Sequence, residues 1–152
     1  MEVTVSLSIG LGLVVSLVFS ELLGLTAGGM VVPGYVALYL DRPLTIILTL
    51  LISYLTYFVV HSMSAVMIIY GRRRTVLMIL VGFAMGALVR SFGSLDLPMA
   101  SIDLNIIGYI IPGLIAIWID RQGLIESFSA LIIASVLVRI ALILITGGEI
   151  KI

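Results

Sequence analysis

Two Asp-Arg pairs, Asp41-Arg42 and Asp120-Arg121, stand 79 positions apart in a chain otherwise poor in charge. An acid beside a base in apolar surroundings supports ion pairing, within the pair or across a two-fold. Between the pairs lie one imidazole, His61, and a run of three guanidinium groups, Arg72-Arg73-Arg74. The imidazole is a titratable group near neutral pH. The arginine run is a contact for an anionic or acidic partner, or a marker of membrane sidedness alone. Glu21 and Arg139 place two more charges within apolar runs. Asp41, Arg42, Asp120, Arg121, Glu21 and Arg139 are therefore the candidate intramembrane charges. The chain has no cysteine, which excludes disulfides, thiolate catalysis and thiolate metal sites. A single histidine cannot by itself build a His-rich metal site, so no metal is expected. No Ser/His/Asp set or carboxylate pair has recognisable catalytic spacing. No Gly-rich loop with a lysine is present to cradle a nucleotide's phosphates. The chain is read as non-catalytic on its own and as carrying no cofactor.

These charges must be positioned by apolar elements, because 62% of the 152 residues are hydrophobic and only 11% are charged. A soluble domain of this length has too little interior to hide that much apolar surface. The expectation is an all-α membrane protein, a single multi-pass domain over residues 1–152 in the cell membrane. Net charge is zero, which removes the electrostatic case for nucleic acid.

The elements repeat. Gly29-Met30-Val31-Val32-Pro33-Gly34-Tyr35-Val36-Ala37-Leu38-Tyr39-Leu40-Asp41-Arg42 returns as Gly108 through Arg121, without a gap. Six of its fourteen positions are identical: the first Gly, the Pro-Gly pair, the Ala, and the closing Asp-Arg. The fixed offset implies a duplicated unit.

In chain order, Val3 to Leu23 is long enough to span and is expected to be a retained membrane segment. Its Gly12, Ser16, Ser20 and Gly24 fall on one helix face and suit close helix approach. Segment two is the first copy of the repeat, with about a dozen apolar residues, too few for a core about 30 Å thick. Segment three is expected from Leu44 to Tyr70, with Ser53, Tyr57, His61 and Ser64 in one stripe. That stripe is either an interhelical packing face or the wall of a hydrated path with His61 as its titratable member. Segment four, Thr75 to Val89, carries the small-xxx-small spacing Gly82 to Gly86. The loop from Ser91 to Asn105 has Asp96 and Asp103 and no basic residue, as suits an outer side. Segment five is the second copy. Segment six, Leu124 to Thr146, holds Arg139 about two turns from its end. Arg139 either snorkels outward or pairs with Glu21, Asp41, Asp120 or Glu126.

The pattern is two tandem repeats of three hydrophobic elements: long, short and broken by Pro-Gly, long. The halves are 1–71 and 75–152, joined by a basic link at Arg72–Arg74. Three crossings per half make an inverted pair, the favoured reading; re-entrant short elements make a parallel pair. Short Gly/Pro-interrupted segments at matching positions point to a ligand path near the bilayer midplane. Pro33-Gly34 and Pro112-Gly113 are its candidates, with His61. The plainer reading is a kink for packing at each Pro-Gly and an end cap at each Asp-Arg.

Ser16-Leu17-Val18-Phe19-Ser20-Glu21, Gly24-Leu25 and Gly28 through Tyr35 resemble the start of the PgsC/CapC family. The likeness continues at Ile69 through Arg73, Ile110 through Ala116, and Gln122-Gly123-Leu124. Segments four and six match only as apolar runs, and the Asp-Arg ends are not fixed in the family. The resemblance implies the integral-membrane subunit of the poly-gamma-glutamate synthase complex, which makes capsule. It implies a cytoplasmic ATP-dependent amide ligase as partner, with ATP and magnesium bound there. It also implies a membrane-anchored subunit with an extracellular domain. The subunit would anchor the ligase and assist synthesis and export of poly-gamma-glutamate, with Arg72, Arg73 and Arg74 facing the ligase or the polymer. A homo-oligomer is compatible with this reading. The alternative is a stand-alone small transporter or channel built on the inverted repeat.

Overall fold

A computed structural model describes residues 2–93 and 110–148. Asp96 and Asp103, expected on an outer loop, lie outside the described residues. Six helices follow in order: α1 Glu2–Leu23, α2 Val32–Leu38, α3 Pro43–Val66, α4 Arg72–Gly93, α5 Ile111–Gln122 and α6 Leu124–Thr146. The fold is all-α, and α1, α3, α4 and α6 are long and apolar enough to cross a membrane. The helices α2 and α5 are not; at about 1.5 Å per residue they measure about 10 and about 18 Å.

The two prolines start their helices. Pro33 and Pro112 both lie in the first turn, where a missing N–H leaves no hydrogen bond unmade. The irregular stretch lies before the first of them, from Gly24 to Val31. The Pro-Gly pair is thus not a break within a helix, as the sequence suggested. Segment three also ends earlier than expected: Met67 turns extended and the chain straightens before Gly71. The arginine run is not a link, since Arg72, Arg73 and Arg74 form the first turn of α4.

Helix directions follow from the contacts. Ser16 donates to the carbonyl of Gly29 at 3.2 Å and Ser8 to that of Gly34 at 2.7 Å, so α2 runs back alongside α1. Thr26, just past α1, hydrogen-bonds to Gln122 at the end of α5. Asp120, also in the last turn of α5, holds Arg74 at the start of α4, and Arg74 reaches Ser64 near the end of α3. The final turns of α1, α3 and α5 therefore share one end of the bundle. Helices α1 and α3 run parallel, α4 and α6 run against them, and the segment around each short helix returns the chain between them. The two halves enter the bundle in opposite senses.

The halves also interlock. Helix α1 packs on α2 and α6, while α4 packs on α5 and α3. Each half thus lends its third helix to the other. The buried faces of those third helices correspond residue by residue. Thr45, Thr49, Ile52, Ser53, Thr56 and Val60 on α3 match Ser127, Leu131, Ala134, Ser135, Val138 and Leu142 on α6, each 82 positions on. Ser53 and Ser135 even make the same bond, to the carbonyls of Thr49 and Leu131, both at 2.6 Å. Such back-bonding satisfies a hydroxyl without a partner helix.

At the centre, Val32 and Val36 of α2 meet Ile111, Ile115 and Ile119 of α5 and Leu131 of α6. Tyr35, Tyr57, Leu114 and Phe128 close around them. Lipid gives helices no hydrophobic reason to associate, so close packing and internal hydrogen bonds must hold this centre together.

Candidate functional site

Two ion-pair clusters stand toward opposite ends of the bundle, one at each Asp of the repeat. In the first, the Arg74 guanidinium donates to Asp120 Oδ1 at 2.5 Å and to Ser64 Oγ at 3.0 Å. The same Nη2 lies 3.3 Å from His61 Nδ1. Arginine has no acceptor and keeps its protons, so Nδ1 must present its lone pair here. Tyr57 stacks obliquely on the imidazole, with centroids 5.5 Å apart. Both ion-pair partners are largely covered, at 20% and 23% side-chain exposure. Arg74 thus gathers α3, α4 and α5 at one point.

In the second cluster, Arg139 of α6 donates to Asp41 Oδ2 at 2.6 Å and to the carbonyl of Ala37 at 3.1 Å. Among the four acids open from sequence, the structure selects Asp41. The carbonyl contact explains why an arginine is needed. Helix α2 stops at Leu38, so Ala37's carbonyl has no partner in its own helix. Its counterpart, Ala116, lies inside α5, which runs on to Gln122 and supplies its own amide. On α3 the position matching Arg139 is Tyr57. Each half therefore completes the same Asp with an arginine drawn from a different element.

Helix contact is closest at four glycines. A Cβ on Gly12 would lie 2.7 Å from the backbone nitrogen of Gly34, and one on Gly82 would lie 2.6 Å from that of Gly113. Gly34 and Gly113 are equally blocked, by the backbones of Ser8 and Ile9 and of Met78 and Ile79. The glycine of each Pro-Gly pair serves this crossing. At these points backbone meets backbone, so α1 crosses α2, and α4 crosses α5, with no side chain between them.

The expected stripe on α3 divides. Ser53 is buried and bonded to its own helix, while His61 and Ser64 turn to Arg74. The buried polar face is instead Thr45, Thr49, Ser53 and Thr56. Ser16 and Gly12 meet α2 as their spacing implied, whereas Ser20 and Gly24 lie exposed beyond it. The other candidate charges are not drawn together. Glu21, Arg42, Arg72 and Arg73 are exposed, with no ion pair among the described residues. Arg121 lies over Trp118, its guanidinium carbon 5.4 Å from the ring centroid.

Sequence reasoning missed one tie. The Gln122 side chain accepts from Thr26 N at 3.1 Å and Thr26 Oγ1 at 3.2 Å, and donates to Thr26 O at 2.6 Å. An amide side chain here stands in for a neighbouring strand and satisfies irregular backbone that lipid would leave unpaired. Gly123 follows it at φ 102° and ψ 163°, a conformation nearly restricted to glycine, and so lets α6 begin with a single residue between it and α5. An isolated Gln-Gly before an apolar run was the available signal.

Comparison with known proteins bears on the Arg74 cluster, on Asp41 and on both Pro-Gly pairs. The family model described as "Capsule biosynthesis CapC" matches residues 11–128. The "PGA biosynthesis protein CapC" of Bacillus subtilis (strain 168) is 39% identical over 126 residues, 82% of this chain and 84% of that protein. The "Capsule biosynthesis protein CapC" of Bacillus anthracis is 40% identical over 115 residues, 75% of this chain and 76% of that protein. No solved structure matches. With its repeat, both short helices and the Arg74 cluster inside the matched stretch, the chain belongs to the CapC family.

Proposed function

We propose that this chain is the membrane subunit of a poly-gamma-glutamate synthase complex in the cell membrane. It takes part in capsule biosynthesis, anchors the ATP-dependent ligase at the cytoplasmic face, and assists synthesis and export of the polymer. The relatives' names support the biosynthetic role. The observation that carries the anchoring role is the split of the arginine run. Arg74 is consumed by Asp120, while Arg72 and Arg73 stand exposed in the same helical turn. Two guanidinium groups at a helix start, with no ion pair among the described residues, suit an acidic or anionic partner outside the bilayer. A membrane-anchored subunit with an extracellular domain completes the assembly at the other face. Pro33-Gly34, Pro112-Gly113 and His61 line or shape the polymer's path in this reading.

The test is co-purification of the ligase with R72A/R73A. Loss of the ligase with normal insertion of the variant supports the reading. Undiminished recovery would remove these arginines from it. The opposed, interlocked halves favour a second reading, a stand-alone small transporter. Purified protein moving a small solute in liposomes without partners would favour that reading.

A further inference from the structure

We propose that His61 is a proton-operated release for the clasp that Arg74 makes between α3, α4 and α5. Three observations carry it. First, His61 Nδ1 faces Arg74 Nη2 at 3.3 Å and must be unprotonated to do so. Second, Arg74 ties those three helices by polar contacts at their shared end, through Ser64, His61 and Asp120, while Val60, Met78, Ala116 and Ile117 hold them by apolar packing. Third, His61 is exposed on the bundle and stands about a turn and a half before the end of α3 at Val66, close to where that span ends.

The groups facing the imidazole are few. Arg74 approaches from α4, Asp120 stands behind it on α5, and Tyr57 stacks from α3 itself. Protonation turns the Arg74 contact from a hydrogen bond into the abutment of two cations. It also makes His61 a competitor for the one carboxylate, Asp120. Arg74 then leaves His61 and Ser64 and keeps Asp120, the nearer, oppositely charged partner. The start of α4 separates from the end of α3 while α4 and α5 stay joined. Arg72 and Arg73 share the turn that moves, so the exposed basic surface shifts with it. Imidazole is the side chain whose charge normally changes between pH 5 and 8.

The chain contains no cysteine and one histidine, which makes the test direct. Spin labels are placed at S62C and V76C, both exposed, one on each side of the clasp. The protein is reconstituted in nanodiscs and the inter-label distance distribution is recorded by pulsed electron resonance at pH 8 and pH 5. The expected result is at least a twofold rise in the population of longer distances at pH 5. H61Q, which cannot take the proton, should give the same distribution at both pH values. A distribution unchanged by pH in the parent background, or an equal change in H61Q, overturns the proposal. If H61Q is poorly inserted, H61N serves as the same control. A single-histidine ring resonance that does not titrate between pH 5 and 8 also overturns it.

Discussion

Arg74 at the start of α4 reaches Asp120 at the end of α5 across 2.5 Å, and both side chains are more than three-quarters covered. A pair this enclosed is costly to break from one side, because the surviving charge is left without a counter-ion. Arg74→Gln and Asp120→Asn should each lower stability by about 3 kcal/mol. Arg74→Gln/Asp120→Asn together should cost less than the sum, since neither charge remains. Thermal unfolding in detergent micelles measures this cycle. Strictly additive losses would show that the pair is not coupled.

The Arg139 cluster behaves differently. Asp41 is 62% exposed, so solvent screens it and Asp41→Asn should cost under about 1 kcal/mol. Arg139→Leu should cost about 1–3 kcal/mol, because the buried Ala37 carbonyl loses its donor. The same unfolding assay ranks the two. Equal losses would place the importance of Arg139 in the ion pair instead of the carbonyl.

Glycine substitutions should divide sharply within one helix. Gly12→Ala drives a methyl into the backbone of Gly34 and should cost about 1–3 kcal/mol or prevent assembly. Gly82→Ala should do the same against Gly113. Gly10→Ala, two residues from Gly12 on α1, meets nothing within 4 Å and should be neutral or gain up to about 1 kcal/mol in helix propensity. Expression level and unfolding temperature read the contrast. A harmful Gly10→Ala would mean that another molecule covers that face.

The opposed halves predict opposite exposure of the two Asp-Arg ends. Arg42→Cys and Arg121→Cys place single thiols at exposed positions that carry no ion pair among the described residues. In oriented vesicles, a membrane-impermeant thiol reagent should reach one only from outside and the other only after permeabilisation. Labelling of both from the same side would contradict the opposed arrangement.

Much of this architecture is legible in the residues because lipid simplifies the code. Twenty or so apolar residues in a row can hardly be anything but a spanning helix, and α6 starts and stops where its hydropathy does. Boundaries failed where backbone geometry, not hydropathy, ends the helix. Ala65 through Tyr70 is an unbroken apolar run, yet the chain leaves the helix at Met67. Pro33 and Pro112 read as breakers because a proline's effect depends on its turn: in a first turn it initiates, further in it interrupts.

The sequence by itself determined the all-helical membrane class, the duplication, and the identity of the charged groups, since composition, length and spacing carry those facts locally. Only the tertiary structure decided which charges meet. Four acids were open to Arg139, and the selection of Asp41 depends on α6 crossing into the first half of the molecule. Arg74 separates from its two neighbours only because α4 begins one turn early, which directs one guanidinium inward and leaves two outside. Ion pairing acts over a few ångströms, and those ångströms are set by how the halves interlock.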